Sequence, residues 1–273
     1  MMGALDFIVP LFVPGHRPDR FAKAADAGAD AVIIDLEDAV PPDAKASARD
    51  ALTADLAVPV LVRVNGAGTP WHVDDLTAAA RLGPAAVMLP KAEDPAILDA
   101  VAAALGPAIP VVALIETARG LAAARAVAAH PAVGRIVFGS IDFCADLGCA
   151  HVREALLPAR AELVLAARLA GRPAPVDGVT TGIDDAALIV DDARHARALG
   201  FGGKLAIHPR QVEAIRSGFL PDAAELAWAH RILASGEGAI AVDGAMVDEP
   251  VRMRARAILA ARAEFTKKDD RSC

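Results

Sequence analysis

Two stretches of one segment decide the fold: Val111-Val-Ala-Leu-Ile-Glu-Thr-Ala-Arg-Gly120 and Arg135-Ile-Val-Phe-Gly-Ser-Ile-Asp-Phe-Cys-Ala-Asp-Leu-Gly148. Each begins as a short apolar run and ends at a carboxylate. Val111–Ile115 runs into Glu116, and Arg135–Phe138 runs through Gly139, Ser140 and Ile141 into Asp142. Short apolar runs that stop at a charge read as buried parallel strands delivering that charge to the rim of a sheet. If both strands share one parallel sheet, both carboxylates reach the same rim. Two hard oxygen ligands there, with water and substrate completing the shell, suit Mg²⁺.

The same pattern extends in both directions. Strand-like runs fall at Phe7–Val13, Ala31–Leu36, Val58–Val64 and Ala86–Leu89 before the segment, and at Ala174–Val179 and Gly203–Ile207 after it. Helical stretches separate them, at Ala44–Leu56, Asp74–Leu82, Pro95–Leu105, Ala118–Ala129, Leu157–Ala170 and Ala186–Ala198, with one more capped by Asp19 and ending at Gly28. Eight strand–helix units in about 210 residues are the pattern of an α/β (β/α)₈ TIM barrel. Beyond His208 the alternation stops. Gln211–Ser217, Asp222–Ala234 and Val251–Phe265 read as helices around a hairpin-like excursion at Ala239–Gly244, and Thr266–Cys273 as a polar tail. The expected organisation is a barrel over 1–210 and a small helical extension over 211–273, packing on the barrel or on a neighbouring subunit.

Composition narrows the partners. With 55% hydrophobic residues in 273, the chain can bury a large core, and a net charge of −7 with no basic patch argues against nucleic acid. No apolar run approaches the ~20 residues of a membrane span, and none resembles a signal peptide. Three cysteines, Cys144, Cys149 and Cys273, do not form a disulfide framework and read as free thiols. A cytoplasmic enzyme acting on a small molecule is the expectation.

In a (β/α)₈ barrel the chemistry collects at the C-terminal ends of the strands. Those ends carry Arg17, then Asp35, Glu37 and Asp38, then Arg63, Lys91, Glu116, Asp142, Asp177, and Lys204 with His208. Burying so many charges for structure alone is unfavourable, so the set reads as a site. Glu116 and Asp142 are the metal candidates, in a role where Mg²⁺ would chelate an oxo or hydroxy acid. Arg63 offers a bidentate cation to a substrate carboxylate or enolate, or else pairs with Glu37 or Asp35. Gly139 and Ser140 offer backbone N–H groups to a carboxylate, or form a plain tight turn. The glycine-rich Gly200–Lys204 run precedes a strand rather than a helix and is not a phosphate loop.

Several motifs together are similar to the citrate lyase β-subunit branch of the HpcH/HpaI aldolase superfamily. They are Leu11-Phe-Val-Pro-Gly-His-Arg-Pro-Asp-Arg20, Gly28 to Val40, Val62-Arg-Val-Asn65 with Thr69-Pro-Trp71, Leu89-Pro-Lys91, Leu114 to Gly120, Phe138 to Phe143, Gly200–Lys204 with Ile207-His-Pro209, and Gly244 to Pro250. The resemblance implies a barrel assembling as a homotrimer or hexamer, Mg²⁺ on Glu116 and Asp142, and Arg63 on a CoA thioester substrate. It also implies that Asp248, in the C-terminal Met-Val-Asp motif, acts as base in a neighbour's site. Pyruvate aldolases of the superfamily usually carry histidine after the strand-two glutamate, whereas Asp38 follows Glu37 here, which favours the acyl-CoA branch. The expected activity is a carbon–carbon lyase on citryl-, malyl- or citramalyl-CoA. Asp35 or Asp38 would hold Arg63 in place, and Arg17, Glu116, Gly139 and Ser140 would contact substrate. The alternatives are a malyl-CoA thioesterase or malate synthase-like enzyme on the same site, or a citrate lyase β-subunit within an acyl-carrier complex.

Overall fold

The computed structural model describes residues 5–236, 240–242 and 244–269. Its chain divides into two compact units, Met1–Arg216 and Ser217–Cys273.

The first unit is a (β/α)₈ barrel. Its strands are β1 (Pro10–Pro14), β2 (Ala31–Asp35), β3 (Val60–Arg63), β4 (Ala86–Leu89), β5 (Val111–Ile115), β6 (Val133–Phe138), β7 (Val176–Asp177) and β8 (Gly203–Lys204). They pair in that order, all parallel. The ring closes where Phe12 N donates to Ala206 O at 2.9 Å and Ala206 N to Pro10 O at 3.0 Å. Between the strands run α1 (Phe21–Asp26), α2 (Lys45–Asp50), α3 (His72–Leu82), α4 (Pro95–Leu105), α5 (Ala118–Ala129), α6 (Ser140–Leu147), α7 (Arg153–Leu169) and α8 (Ala186–Leu199), and α9 (Val212–Phe219) follows the last strand.

Side chains alternate across a strand, so every second residue points into the barrel. Ala31, Ile33, Leu61, Met88, Val112, Leu114, Val137, Val176 and Leu205 fill it, with Leu5 and Phe7 in the same cluster. One further step of two along each strand reaches the mouth. There Ile33 is followed by Asp35, Leu61 by Arg63, Leu114 by Glu116, Val137 by Gly139 and Val176 by Gly178. The apolar series that fills the core therefore also aims the polar groups.

Several boundaries differ from the sequence reading. The first strand starts at Pro10 rather than Phe7, and strands seven and eight shrink to two residues each. A Cβ on Gly203 would lie 2.5 Å from Ile8 O, so β8 presses on the chain entering β1 and only glycine fits. The helix expected over Ala44–Leu56 is Lys45–Asp50, entered through a 3₁₀ turn at Pro42–Ala44. Asp19 does not cap a helix; it lies in a 3₁₀ turn and pairs with Arg17. The stretch after Gly139, read as a turn, is α6, which Gly148 ends in the left-handed region (φ 71°). The following helix starts at Arg153, four residues early, and carries Pro158 inside it.

In the second unit, α10 (Ala223–Ala234) opens with a capping box made by Asp222 and Glu225. A hairpin of β9 (Ile240–Val242) and β10 (Ala245–Val247) leads into α11 (Glu249–Asp269). Ala229, Ile232, Val247, Ala255 and Ile258 form its core. The last helix runs past Phe265 into the expected tail; residues 270–273, with Cys273, lie outside the described residues, as do 237–239 and Asp243 of the loop and hairpin. Among the described residues no helix is long and apolar enough to cross a membrane.

Candidate active site

A cleft of about 420 Å³ opens at the barrel mouth. Phe12, Leu114, Phe138, Val179, Leu205 and Ile207 give it an apolar wall, and Asp35, Asp38, Arg63, Glu116, Gly139, Ser140 and Asp142 supply the polar groups. Seven of the sequence-expected residues meet here. Arg17 does not: it is forked onto Asp19, with Nε and Nη2 at 2.9 and 2.8 Å, and is not among the lining residues.

Arg63 and Asp35 are register partners on β3 and β2. Adjacency makes the pair bidentate, Nε to Oδ1 and Nη2 to Oδ2, both 2.7 Å. The arginine Nη1 also lies 3.1 Å from Glu37 Oε2 and 3.6 Å from Asp38 Oδ2. Its guanidinium sits over the Phe12 ring at 4.9 Å. Burial alone would weaken the cation, but Asp35, Glu37 and Asp38 outweigh it and raise the pKa further. Arg63 is thus a rigid, permanently charged plane at the cleft wall.

Glu116 is only 2% exposed. Its Oε1 accepts from the backbone N–H of Lys91 at 2.9 Å. Lys91, the only non-glycine with positive φ among the described residues (48°), adopts this costly conformation directly after Pro90, and it turns the N–H onto the carboxylate. On the other side, a Cβ at Gly139 would stand 2.6 Å from Glu116 Oε2, so the carboxylate requires glycine there. Burial, with Glu37 and Asp142 adding repulsion, pushes the Glu116 carboxyl up to about 8. Burial likewise raises Glu37. Glu37 Oε2 is buried beside Arg63 yet accepts no well-directed hydrogen bond.

Self-repelling carboxylates with an unsatisfied buried oxygen are what a divalent cation relieves. Among the described residues no cluster of three or more His, Cys, Asp or Glu forms a complete cage. Mg²⁺ does not require such a cluster: it takes one or two carboxylates and fills its octahedron with water and substrate. Glu116 and Asp142 are the residues that could hold it.

Two supporting groups escaped the sequence reading. Lys45, on a short helix outside the barrel, is 5% exposed. Its Nζ donates to Leu36 O (2.6 Å), Glu37 O (2.7 Å) and Asn65 Oδ1 (2.7 Å). It thereby fixes the loop that presents Glu37 and Asp38. Nothing local marks a lysine after Pro-Pro-Asp as buried. Lys45→Met should leave Asn65 Oδ1 without a donor, and Leu36 O and Glu37 O with one donor each, from Asn65 Nδ2 and Val40 N, and cost about 1–3 kcal/mol. Urea unfolding checks this, with the midpoint expected to fall at unchanged slope.

The other group lies at strand seven. Asp177, fully buried, accepts from Arg160 Nε at 2.8 Å and Nη2 at 3.2 Å, and from Lys204 Nζ at 3.0 Å. Lys204 also donates to Gly178 O at 2.7 Å. Burial alone would raise the Asp177 carboxyl, but the two cations hold it below the usual range. The charges expected at strands seven and eight are therefore structural, and Arg160 on α7 was not foreseen. His208 caps the turn that follows, accepting from Arg210 N at 3.2 Å. Asp248 belongs to the second unit, where its Oδ1 accepts from Val251 N at 3.3 Å at the start of α11.

A closed eight-stranded barrel with a carboxylate cluster and a buried arginine at its C-terminal mouth defines the class, a (β/α)₈-barrel enzyme. The chain belongs to the HpcH/HpaI aldolase/citrate lyase family, whose model matches residues 9–209. A citrate lyase subunit beta-like protein of Mycobacterium tuberculosis is 41% identical, over 94% of this chain and 96% of that one. A (3S)-malyl-CoA thioesterase of Cereibacter sphaeroides is 38% identical over 92% of each. The crystal structure of M. tuberculosis CitE in complex with magnesium, acetoacetate and coenzyme A superposes with a TM-score of 0.86 at 38% identity, covering 94% of this chain and 98% of that one.

Proposed function

We propose that the protein is a Mg²⁺-dependent carbon–carbon lyase that cleaves a 3-hydroxyacyl-CoA of the citryl-, malyl- or citramalyl-CoA type to acetyl-CoA and a 2-oxo acid. The observation that carries the reading is the self-repelling group of the buried Glu116 and Glu37 with the half-buried Asp142, beside Arg63. The magnesium and coenzyme A held by the M. tuberculosis relative support it.

Glu116 and Asp142 would hold the ion. When bound, it would bring the substrate's hydroxyl and carboxylate together and offset negative charge during cleavage. The backbone N–H of Ser140, at the start of α6, faces a substrate carboxylate; the Gly139 N–H, also expected there, instead donates to Ile115 O at 2.9 Å. Arg63, fixed by Asp35 and Asp38, stabilises the enolate of acetyl-CoA as it forms. Asp248 of a neighbouring copy in a homotrimer or hexamer takes the hydroxyl proton as the C–C bond breaks. The bonding pair passes to the acetyl carbon, which then takes the proton from Asp248, so the base is restored and no net proton is gained or lost. The apolar wall of Phe138, Val179 and Leu205 receives the uncharged carbons.

A thioesterase reading has the C. sphaeroides relative in its favour. Product analysis of purified protein with Mg²⁺ and each of the three thioesters separates the two. Acetyl-CoA with one equivalent of 2-oxo acid is expected; free CoA without acetyl-CoA would replace the lyase by the thioesterase. Turnover of free thioesters also argues against a subunit that works only on an acyl carrier.

A further inference from the structure

Helix α6 carries Ser140 and Asp142 at its start and two thiols at its end. Gly148 takes the left-handed conformation, and the N–H groups of Gly148 and Cys149 both return to Cys144 O. This helix stop brings the residue three before the last helical one, Leu147, over the second residue past it. Cys144 and Cys149 occupy those places, and their Sγ atoms are 3.6 Å apart, both free. Cys144 is buried and Cys149 half-buried.

We infer that Cys144 and Cys149 form a reversible dithiol–disulfide site, oxidised by a hydroperoxide, on the helix that presents Asp142. The bond needs an approach of about 1.5 Å from the present contact. Cys149 is the thiol an oxidant can reach. Cys144 is buried beneath it, so it is shielded from direct attack and placed to act as the resolving partner. In the first step the Cys149 sulfur attacks the peroxide O–O bond, giving a sulfenic acid and one molecule of alcohol or water. In the second the Cys144 sulfur attacks the sulfenic acid, forming S–S and releasing water. Two thiols lose two electrons and two protons, and the peroxide accepts both.

The movement reaches the cleft through a short path. Cys144 Sγ contacts Ala150 O at 3.7 Å, and the next residue, His151, holds Ser140 Oγ through Nε2 at 2.9 Å. Ser140 is packed so closely that a Cβ on Gly178 would lie against its side chain. Drawing Cys149 onto Cys144 displaces residues 150 and 151 and the cleft wall with them.

The test treats the full chain with hydrogen peroxide and counts thiols. Of three thiols, two should be lost together, and a peptide linking Cys144 to Cys149 should appear about 2 Da lighter than the reduced pair. Dithiothreitol should restore both. Cys273→Ser should behave as the native chain, and Cys144→Ser should stop at a sulfenic acid on Cys149 that dimedone traps. Cys149 over-oxidised with Cys144 still free, cross-links through Cys273, or three intact thiols would each overturn the assignment. The coupling to the cleft rests on the lyase reading: kcat/KM should fall several-fold on cross-linking and recover on reduction. An unchanged kcat/KM in cross-linked protein would overturn the coupling. Absence of activity in both states would instead count against the lyase reading and leave the thiol count standing.

Discussion

Glu116→Gln is expected to lower Mg²⁺-dependent turnover by on the order of 10³-fold, because it removes one of the two carboxylates that would hold the ion. Glutamine matches the shape, and its Oε1 still accepts from the Lys91 N–H, so the barrel stays folded. Thermal unfolding gives an independent readout. In the folded, metal-free protein the Glu116 carboxyl is pushed up to about 8, whereas an unfolded glutamate titrates near ~4.3. A carboxyl raised on folding contributes stability that is fully present below the unfolded value and is lost as pH rises through the folded one. The metal-free protein should therefore melt several degrees lower at pH 8.5 than at pH 5, and added Mg²⁺ should restore it. The glutamine variant should show a much smaller fall and little response to Mg²⁺. Unchanged turnover in the variant would remove Glu116 from the site.

The largest loss of stability is expected at Asp177. Asp177→Asn leaves Arg160 and Lys204 buried without a counter-charge, and breaking a buried pair in this way costs about 3–5 kcal/mol. For a chain of this size that corresponds to a fall in Tm of roughly 10 °C. The direction with pH follows from the lowered carboxyl. Stability from a carboxyl depressed on folding is present above the unfolded value of ~3.9 and lost as pH falls through the folded value. Native protein should keep this contribution at neutral pH and lose it only in strong acid, where the melting difference from the variant narrows. A difference that persists unchanged to pH 2 would show that the charge pairs are not its source.

These two residues look alike in the sequence. Glu116 and Asp177 are both carboxylates at the ends of apolar runs. Their separation depends on what stands opposite. Glu116 meets other carboxylates and the half-exposed Lys91, so its charge is in surplus. Asp177 meets Arg160 from α7 and Lys204 from β8, so its charge is matched. No spacing rule reveals that, because Arg160 lies seventeen residues before Asp177 along the chain, on a helix whose other face is solvent.

Lys45 and Arg17 show the same limit in opposite directions. Lys45, in a polar-looking stretch, is buried and ties three acceptors. Arg17, at a strand end where a site residue was expected, turns back to its near neighbour Asp19. Side-chain length lets a cation choose among partners several ångströms apart, and the choice depends on which loops pack nearby.

By itself the sequence determined the barrel and the face of the cleft. Apolar runs separated by helical stretches require buried parallel strands, and the two-residue period that packs Ile33, Leu61 and Leu114 inside also places Asp35, Arg63 and Glu116 at one mouth. Tertiary structure alone decided how the charges there divide. The fork of Arg63 on Asp35 comes from strand register, the surplus charge on Glu116 from burial among carboxylates, and the neutralisation of Asp177 from a helix and a strand meeting it in space. Periodicity is a local property of the chain, whereas the energy of a buried charge depends on every group within a few ångströms, and those groups are assembled only by folding.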